Sequence, residues 1–213
     1  MSRAFSIREI IEMKIPSIKL TGKFLDAFGE IEKTGIWLVW GRSGNGKTSF
    51  AMQLCKELSR FGKVHYDPLE EKSKGLSIQN ILNKHNMIEI NGRMSIKSEP
   101  ISKLSERLDK HKSPDFVVID SFQYCRFTYE TYIEFKEKHA DKLLIFISHA
   151  DGKEPEGSVA RSVQYDVGQK VYVEGYRAFT RGRFYGPLGY YNIWEEKAID
   201  YWGKQDMNQI INE

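Results

Sequence analysis

Ile36-Trp37-Leu38-Val39-Trp40-Gly41-Arg42-Ser43-Gly44-Asn45-Gly46-Lys47-Thr48 sets an unbroken apolar run directly against a glycine-rich loop. The run Ile36–Trp40, bounded by Gly35 and Gly41, reads as a strand buried on both faces. Gly41 to Thr48 then fits the phosphate-loop pattern G-x-x-x-x-G-K-S/T. Glycines let the backbone turn tightly, so successive N–H groups converge on phosphate oxygens. From about Lys47 to Arg60 the apolar residues Phe50, Ala51, Leu54 and Leu58 fall on one helical face. That helix turns its partial positive N-terminus toward the loop. A glycine-rich loop can match the pattern by chance, but strand, loop and helix in this order are the context the motif requires. The reading predicts a nucleoside triphosphate, ATP with Mg²⁺, held by Ser43, Gly44, Asn45, Gly46, Lys47, Thr48 and Ser49. Lys47 is expected to reach the β- and γ-phosphates, and the Thr48 hydroxyl to ligate Mg²⁺.

Outward from the loop, more apolar runs alternate with helical patterns. Val64–Tyr66, Phe116–Ile119 and Leu143–Ile147 read as strands, and Met87–Ile90 as a short one. Ser77–Lys84, Ile101–Lys110 and Tyr129–His139 read as helices, and Ile7–Met13 as a short amphipathic helix ended by Pro16. Continuous apolar strands separated by helices predict an α/β fold with a mostly parallel central sheet covered on both faces. Beyond it, Lys170–Gly175, Arg177–Phe184 and Tyr190–Trp194 read as an antiparallel extension with short turns. The expectation is one domain over 1–213, with a helical segment at 1–17 and a hairpin region at 170–195.

Composition agrees with a globular chain: 40% hydrophobic and 29% charged residues over 213, with a net charge of +3. Cys55 and Cys125 stand outside any CxxC or Cys/His spacing, which argues against a zinc ribbon or a disulfide framework. The apolar runs are too short to span a bilayer, and the N-terminus lacks a signal-peptide core, so the expectation is a cytoplasmic protein without a membrane partner.

Phe116-Val117-Val118-Ile119 ends in Asp120. A carboxylate at the tip of a parallel strand points into the ligand crevice and can hold Mg²⁺ through its water shell. An ordinary turn-opening Asp is the competing reading.

These features, in this order, resemble the core ATPase domain of the RecA superfamily, closest to RadA-type and DnaB-type proteins. Leu20-Thr21-Gly22-Lys23-Phe24-Leu25-Asp26-Ala27-Phe28-Gly29 is similar to the lead-in T-G-x-x-x-L-D-x-x-x-G. Val64-His65-Tyr66-Asp67-Pro68-Leu69-Glu70-Glu71 resembles the strand ending in S-G-E-E or S-L-E-M. Val117-Val118-Ile119-Asp120-Ser121-Phe122-Gln123 resembles the Walker B stretch V-V-I-D-S-I-Q. Ser148-His149-Ala150 stands where relatives carry a polar sensor. Arg181-Gly182-Arg183-Phe184-Tyr185-Gly186-Pro187-Leu188-Gly189 resembles K-N-R-F-G, and K-x-R-N-G-P-x-G with one extra residue.

The resemblance implies roles. Glu70 would orient the attacking water as general base, with Glu71 its rival and a solvated loop acid the bland alternative. His149 would sense the γ-phosphate, against a capping or core role. Arg181 and Arg183 would reach the γ-phosphate of a neighbouring subunit, against a pair of exposed arginines. That last role implies a homo-oligomer, a head-to-tail ring. The implied activity is an ATPase in DNA recombination, repair or replication. Nothing in the sequence matches a zinc ribbon, a protease-like domain or a helicase's helical domain, so helicase and recombinase activities are not implied.

Single-stranded DNA, or a DNA-bound protein, is the partner that the resemblance suggests. The sequence supports it weakly. The loop from Asp151 to Arg161 carries mixed charge, with Lys153 and Arg161 as candidate contacts. The loop from Ser121 to Thr128 offers Gln123, Tyr124, Arg126 and Phe127. Phe184, Tyr185, Tyr190 and Tyr191 suit base stacking or a core equally as a residue class. Two other functions stay open: an ATP-controlled adaptor with little turnover, and a small-molecule P-loop kinase.

Overall fold

The computed structural model describes residues 3–71, 73–183 and 185–210, with side chains described as far as residue 203. Its N-terminal helix α1 (Ile7–Glu12) starts at a capping box between Ser6 and Glu9 and buries none of its residues. β1 (Ser17–Lys19) and β2 (Glu30–Glu32) pair antiparallel around α2 (Gly22–Phe28). Then follow β3 (Gly35–Trp40), α3 (Lys47–Leu58), β4 (Val64–Pro68), α4 (Leu76–Lys84), β5 (Met94–Ile96), α5 (Ile101–Leu108) and β6 (Phe116–Asp120). The second half holds α6 (Tyr129–Lys138), β7 (Leu143–Ser148), β8 (Ala150–Asp151), β9 (Glu154–Pro155) and α7 (Ser158–Asp166). It ends with β10 (Gln169–Glu174), β11 (Arg177–Thr180), β12 (Tyr190–Asn192) and α8 (Glu195–Ile210).

The central sheet has eight strands in the order β12-β11-β10-β3-β7-β6-β4-β5. The strands from β10 to β5 run parallel, and β11 and β12 close one edge antiparallel. Strand alternation divides the core in two. Trp37 and Val39 of β3 face α3 and the aromatic cluster of Phe24, Phe28 and Phe50. Ile36, Leu38 and Trp40 face the side built by α5, α6 and α7 through Leu104, Phe135 and Val163. Burial on both faces explains why these strands read as unbroken apolar runs.

The crossover from β3 to β4 skips β7 and β6, which are inserted later between them. The four neighbouring strands β3, β7, β6 and β4 therefore present their C-terminal ends side by side, where ligands bind in such sheets.

Several local expectations change. Met87–Ile90 forms a 3-10 helix, and the strand lies instead at Met94–Ile96, paired to β4. A left-handed residue, Asn86 with φ 48°, turns the chain before Met87, so Ile90 reaches the core without extending a strand. The stretch from Asp151 to Arg161, expected as a loop, contains part of the β8–β9 hairpin and the first turn of α7. β11 stops at Thr180, short of the expected end at Phe184, which lies outside the described residues. The helical spacing of Ile7, Ile10 and Ile11 is present in α1, but all three are exposed. No helix among the described residues is long and apolar enough to cross a membrane.

Candidate active site

The loop after β3 is shaped by its glycines. Gly44 (φ 79°) and Gly46 (φ 101°) take left-handed conformations, and Gly46 caps α3 without help from any side chain. The first N–H groups of α3 are left for an anion at the helix's positive end. Gly41 has a different reason to be glycine: a Cβ there would lie 2.2 Å from the Val173 carbonyl oxygen of β10. Asn45 ties the loop to the sheet edge, its Oδ1 accepting from the Gly175 N–H at 2.8 Å. Lys47 Nζ donates to the carbonyl oxygens of Gly41 (2.7 Å) and Arg42 (3.2 Å). Burial lowers the Lys47 ammonium pKa, and the carboxylates of Asp120 and Glu70 oppose that shift.

Asp120 ends β6, two strands from β3. Burial raises its pKa, and nearby Glu70 and Glu71 add to the effect; a hydrogen bond from Tyr66 and the charge of Lys47 oppose it. The Tyr66 hydroxyl donates to Asp120 Oδ2 at 2.7 Å. Backbone geometry then brings in Glu70, whose N–H donates to the Asp120 carbonyl at 3.2 Å. The Glu70 carboxylate reaches across to the end of β7, where His149 Nε2 lies 3.0 Å from Oε2. His149 Nδ1 stands 3.4 Å from Glu156 Oε2. Gln123 braces this end: its Oε1 accepts from the His149 N–H at 3.3 Å, and its Nε2 donates to Ser148 Oγ at 2.8 Å.

Ser43, Gly44, Gly46, Lys47, Thr48, Ser49, Glu70, Asp120 and His149 thus line one open cleft of about 1350 Å³, and Glu71 lines it too. Among the described residues no group of three or more His, Cys, Asp or Glu could hold a metal alone. That suits Mg²⁺, which is usually held by one or two protein oxygens with the rest from phosphate and water. Thr48 and Asp120 are the residues that would hold it, the buried Asp120 carboxylate facing the Lys47 charge across the cleft floor.

Arg181 and Arg183 are not brought there. Thr180 pairs with Val171, and the chain continues away from the loop, with the Arg181 N–H donating to Lys170 O (2.7 Å) and the Arg183 N–H to Gly168 O (3.0 Å). Both side chains are exposed, and the Arg181 guanidinium lies 4.9 Å from the Tyr172 ring centre. Of the aromatics considered for base stacking, Tyr191 packs on Phe24 with centroids 4.3 Å apart, whereas Tyr185 is exposed. Arg161 is paired with Asp151 at 2.8 Å.

The sequence pointed to neither Tyr66 nor Glu156 as part of this site. Tyr66 looks like any aromatic in a buried strand, and its link to Asp120 exists only because β4 and β6 are neighbours. Glu156 meets His149 only through the β8–β9 turn.

Comparison with known proteins agrees with this architecture. Neither the protein-family models nor the curated proteins give a match. Solved structures do. A KaiC-like protein from the archaeon Pyrococcus horikoshii aligns over 84% of this chain and 99% of its own, with TM-score 0.60 and 16% identity. The flagellar accessory protein FlaH from Methanocaldococcus jannaschii aligns over 84% and 92%, with TM-score 0.60 and 14% identity. A third structure, titled an ATPase domain, aligns over 71% and 79%, with TM-score 0.51 and 16% identity. The chain has the RecA-like P-loop ATPase fold: a mostly parallel sheet flanked by helices, with an antiparallel C-terminal hairpin.

Proposed function

We propose that this chain is a Mg²⁺-dependent ATPase that works as a homo-oligomer, with DNA or a DNA-bound protein as its partner in recombination, repair or replication. One observation carries the catalytic part: the Glu70–His149 pair opens on the same cleft as Lys47 and Asp120. Hydrolysis of a phosphoanhydride needs charge neutralisation at the phosphates and a carboxylate to orient water. Lys47 and the α3 N-terminus hold the phosphates. Glu70 accepts the proton of the attacking water, and His149 fixes the Glu70 carboxylate while presenting its imidazole edge to the γ-phosphate. Mg²⁺ bound at Thr48 and Asp120 supplies positive charge to the phosphate oxygens.

Arg181 and Arg183, exposed and far from their own cleft, are placed to serve the cleft of a neighbouring copy in a head-to-tail ring. The DNA partner rests on the family resemblance; the Arg161–Asp151 pair leaves little free positive charge in the loop before α7.

Phosphate release measured with and without single-stranded DNA tests the reading. Steady Mg²⁺-dependent turnover is expected, with Glu70→Gln lowering kcat by about 10²-fold or more. No hydrolysis under either condition, with Glu70→Gln indistinguishable from the parent, rules out the enzymatic reading and leaves an ATP-controlled adaptor. Transfer of phosphate to a small acceptor would point to a kinase instead.

A further inference from the structure

Beside the phosphate loop, on the side facing β10, the cleft wall is aromatic. The turn between β10 and β11 holds two residues, Gly175 and Tyr176, both left-handed, with φ 52° and 60°. Such a turn favours Asn or Gly, and a bulky residue at positive φ is strained by about 1–3 kcal/mol. The strain puts the Tyr176 ring where the loop ends: a Cβ on Gly46 would meet Tyr176 Cδ1 at 3.5 Å and Ile193 Cγ2 at 3.4 Å. Next to Tyr176 stands Trp194, edge to face, with ring centres 6.2 Å apart and planes at 71°. Trp194 is 38% exposed and lines the same cleft as Lys47. Two ammonium groups sit over its ring, Lys84 Nζ at 4.6 Å and Lys197 Nζ at 4.2 Å from the centre.

We infer that Trp194 and Tyr176 form the platform on which the nucleotide's base stacks, with Lys84 and Lys197 occupying that platform until the base displaces one of them. The inference rests on the nucleotide-binding reading above. Indole is the strongest cation–π partner among side chains, so its exposed face is already satisfied by charge. The base is the only broad flat group a nucleotide can offer in exchange. Lys84 belongs to α4 and Lys197 to α8, so stacking also loosens contacts from two helices to this wall. Stacking reads the face of a base and not its edge, which favours the larger purine face without requiring a base-reading motif.

Calorimetry on the full chain with Mg²⁺ and either a non-hydrolysable ATP analogue or inorganic tripolyphosphate separates base from phosphates. Trp194→Ala should weaken analogue binding about tenfold and leave tripolyphosphate within about twofold; Trp194→Phe should largely restore the analogue. Tyr176→Asn suits the turn, so its thermal midpoint should hold or rise while analogue affinity falls. Unchanged analogue affinity in both Trp194→Ala and Tyr176→Asn overturns the platform, and so does an equal loss of both ligands in Trp194→Ala. Parent protein that binds neither ligand overturns the nucleotide reading itself, and the platform with it.

Discussion

His149 Nε2 lies 3.0 Å from Glu70 Oε2, so the end of β7 is joined to the turn after β4 across the tip of β6, where Asp120 stands between them. A carboxylate held this way has its direction fixed by a partner on a different strand. His149→Ala should free it. With Glu70 still present, kcat should fall about tenfold, within the range for a disturbed acid–base group, while affinity for the ATP analogue stays close to the parent. Single-turnover rates and titration calorimetry on the same preparation check the split. An equal loss in binding would mean that His149 acts on the ground state.

Asp67 offers a pH prediction. It is fully buried on β4, with Oδ1 accepting from the Glu99 N–H at 3.2 Å and Oδ2 without a hydrogen-bond partner. Burial pushes its pKa from 3.8 up to about 7, Glu99 adding and Arg107 and Lys97 opposing. The folded state therefore holds the proton more tightly than the unfolded chain, and Asp67 costs stability progressively from about pH 4 to about pH 7. Its neighbour His65 has a pKa lowered by burial to about 4, so its stabilising effect is gained as pH rises from about 4 to 6.5 and masks part of the Asp67 slope. Thermal midpoints of Asp67→Asn and parent, measured at each pH, isolate Asp67. The variant's advantage should grow between about pH 4 and 7 and then level off. A constant difference would place the Asp67 pKa near its ordinary value.

Gly41→Ala should damage both fold and site. The new methyl would need to displace the Val173 carbonyl, which is backbone of β10 and cannot swing aside. Overpacking of this kind costs about 1–3 kcal/mol. Urea unfolding should show that loss, together with weakened tripolyphosphate binding because the loop must move. Parent-like unfolding would show that β10 shifts freely against β3.

A mixing experiment tests the arginines. Arg181→Ala/Arg183→Ala and Lys47→Ala should each be nearly inactive alone. In a mixed ring, an intact loop from the first can meet intact arginines from the second, so mixing should restore part of the phosphate release. Activity no greater than the sum of the separate proteins would remove the role in trans.

Much of the architecture was legible because its signals are local. Five adjacent apolar residues before Gly41 can only be a strand buried on both sides, and Lys47 at the start of an amphipathic helix follows from the same few residues. Where the signal is not local, reading failed. Met87–Ile90 is apolar enough for a strand, yet a left-handed Asn86 turns it into a 3-10 helix. The spacing of Ile7, Ile10 and Ile11 describes a helix correctly but says nothing about whether another surface covers it.

The sequence by itself determined the phosphate loop, the alternation of strands and helices, and the acid at the tip of β6, because each depends on residues close along the chain. Only the tertiary structure decided which of those tips are neighbours. The Tyr66–Asp120 and Glu70–His149 contacts join residues 54 and 79 positions apart. They exist because β7 and β6 are inserted between β3 and β4, and strand order is set by how the sheet buries both faces at once, a property of the whole chain.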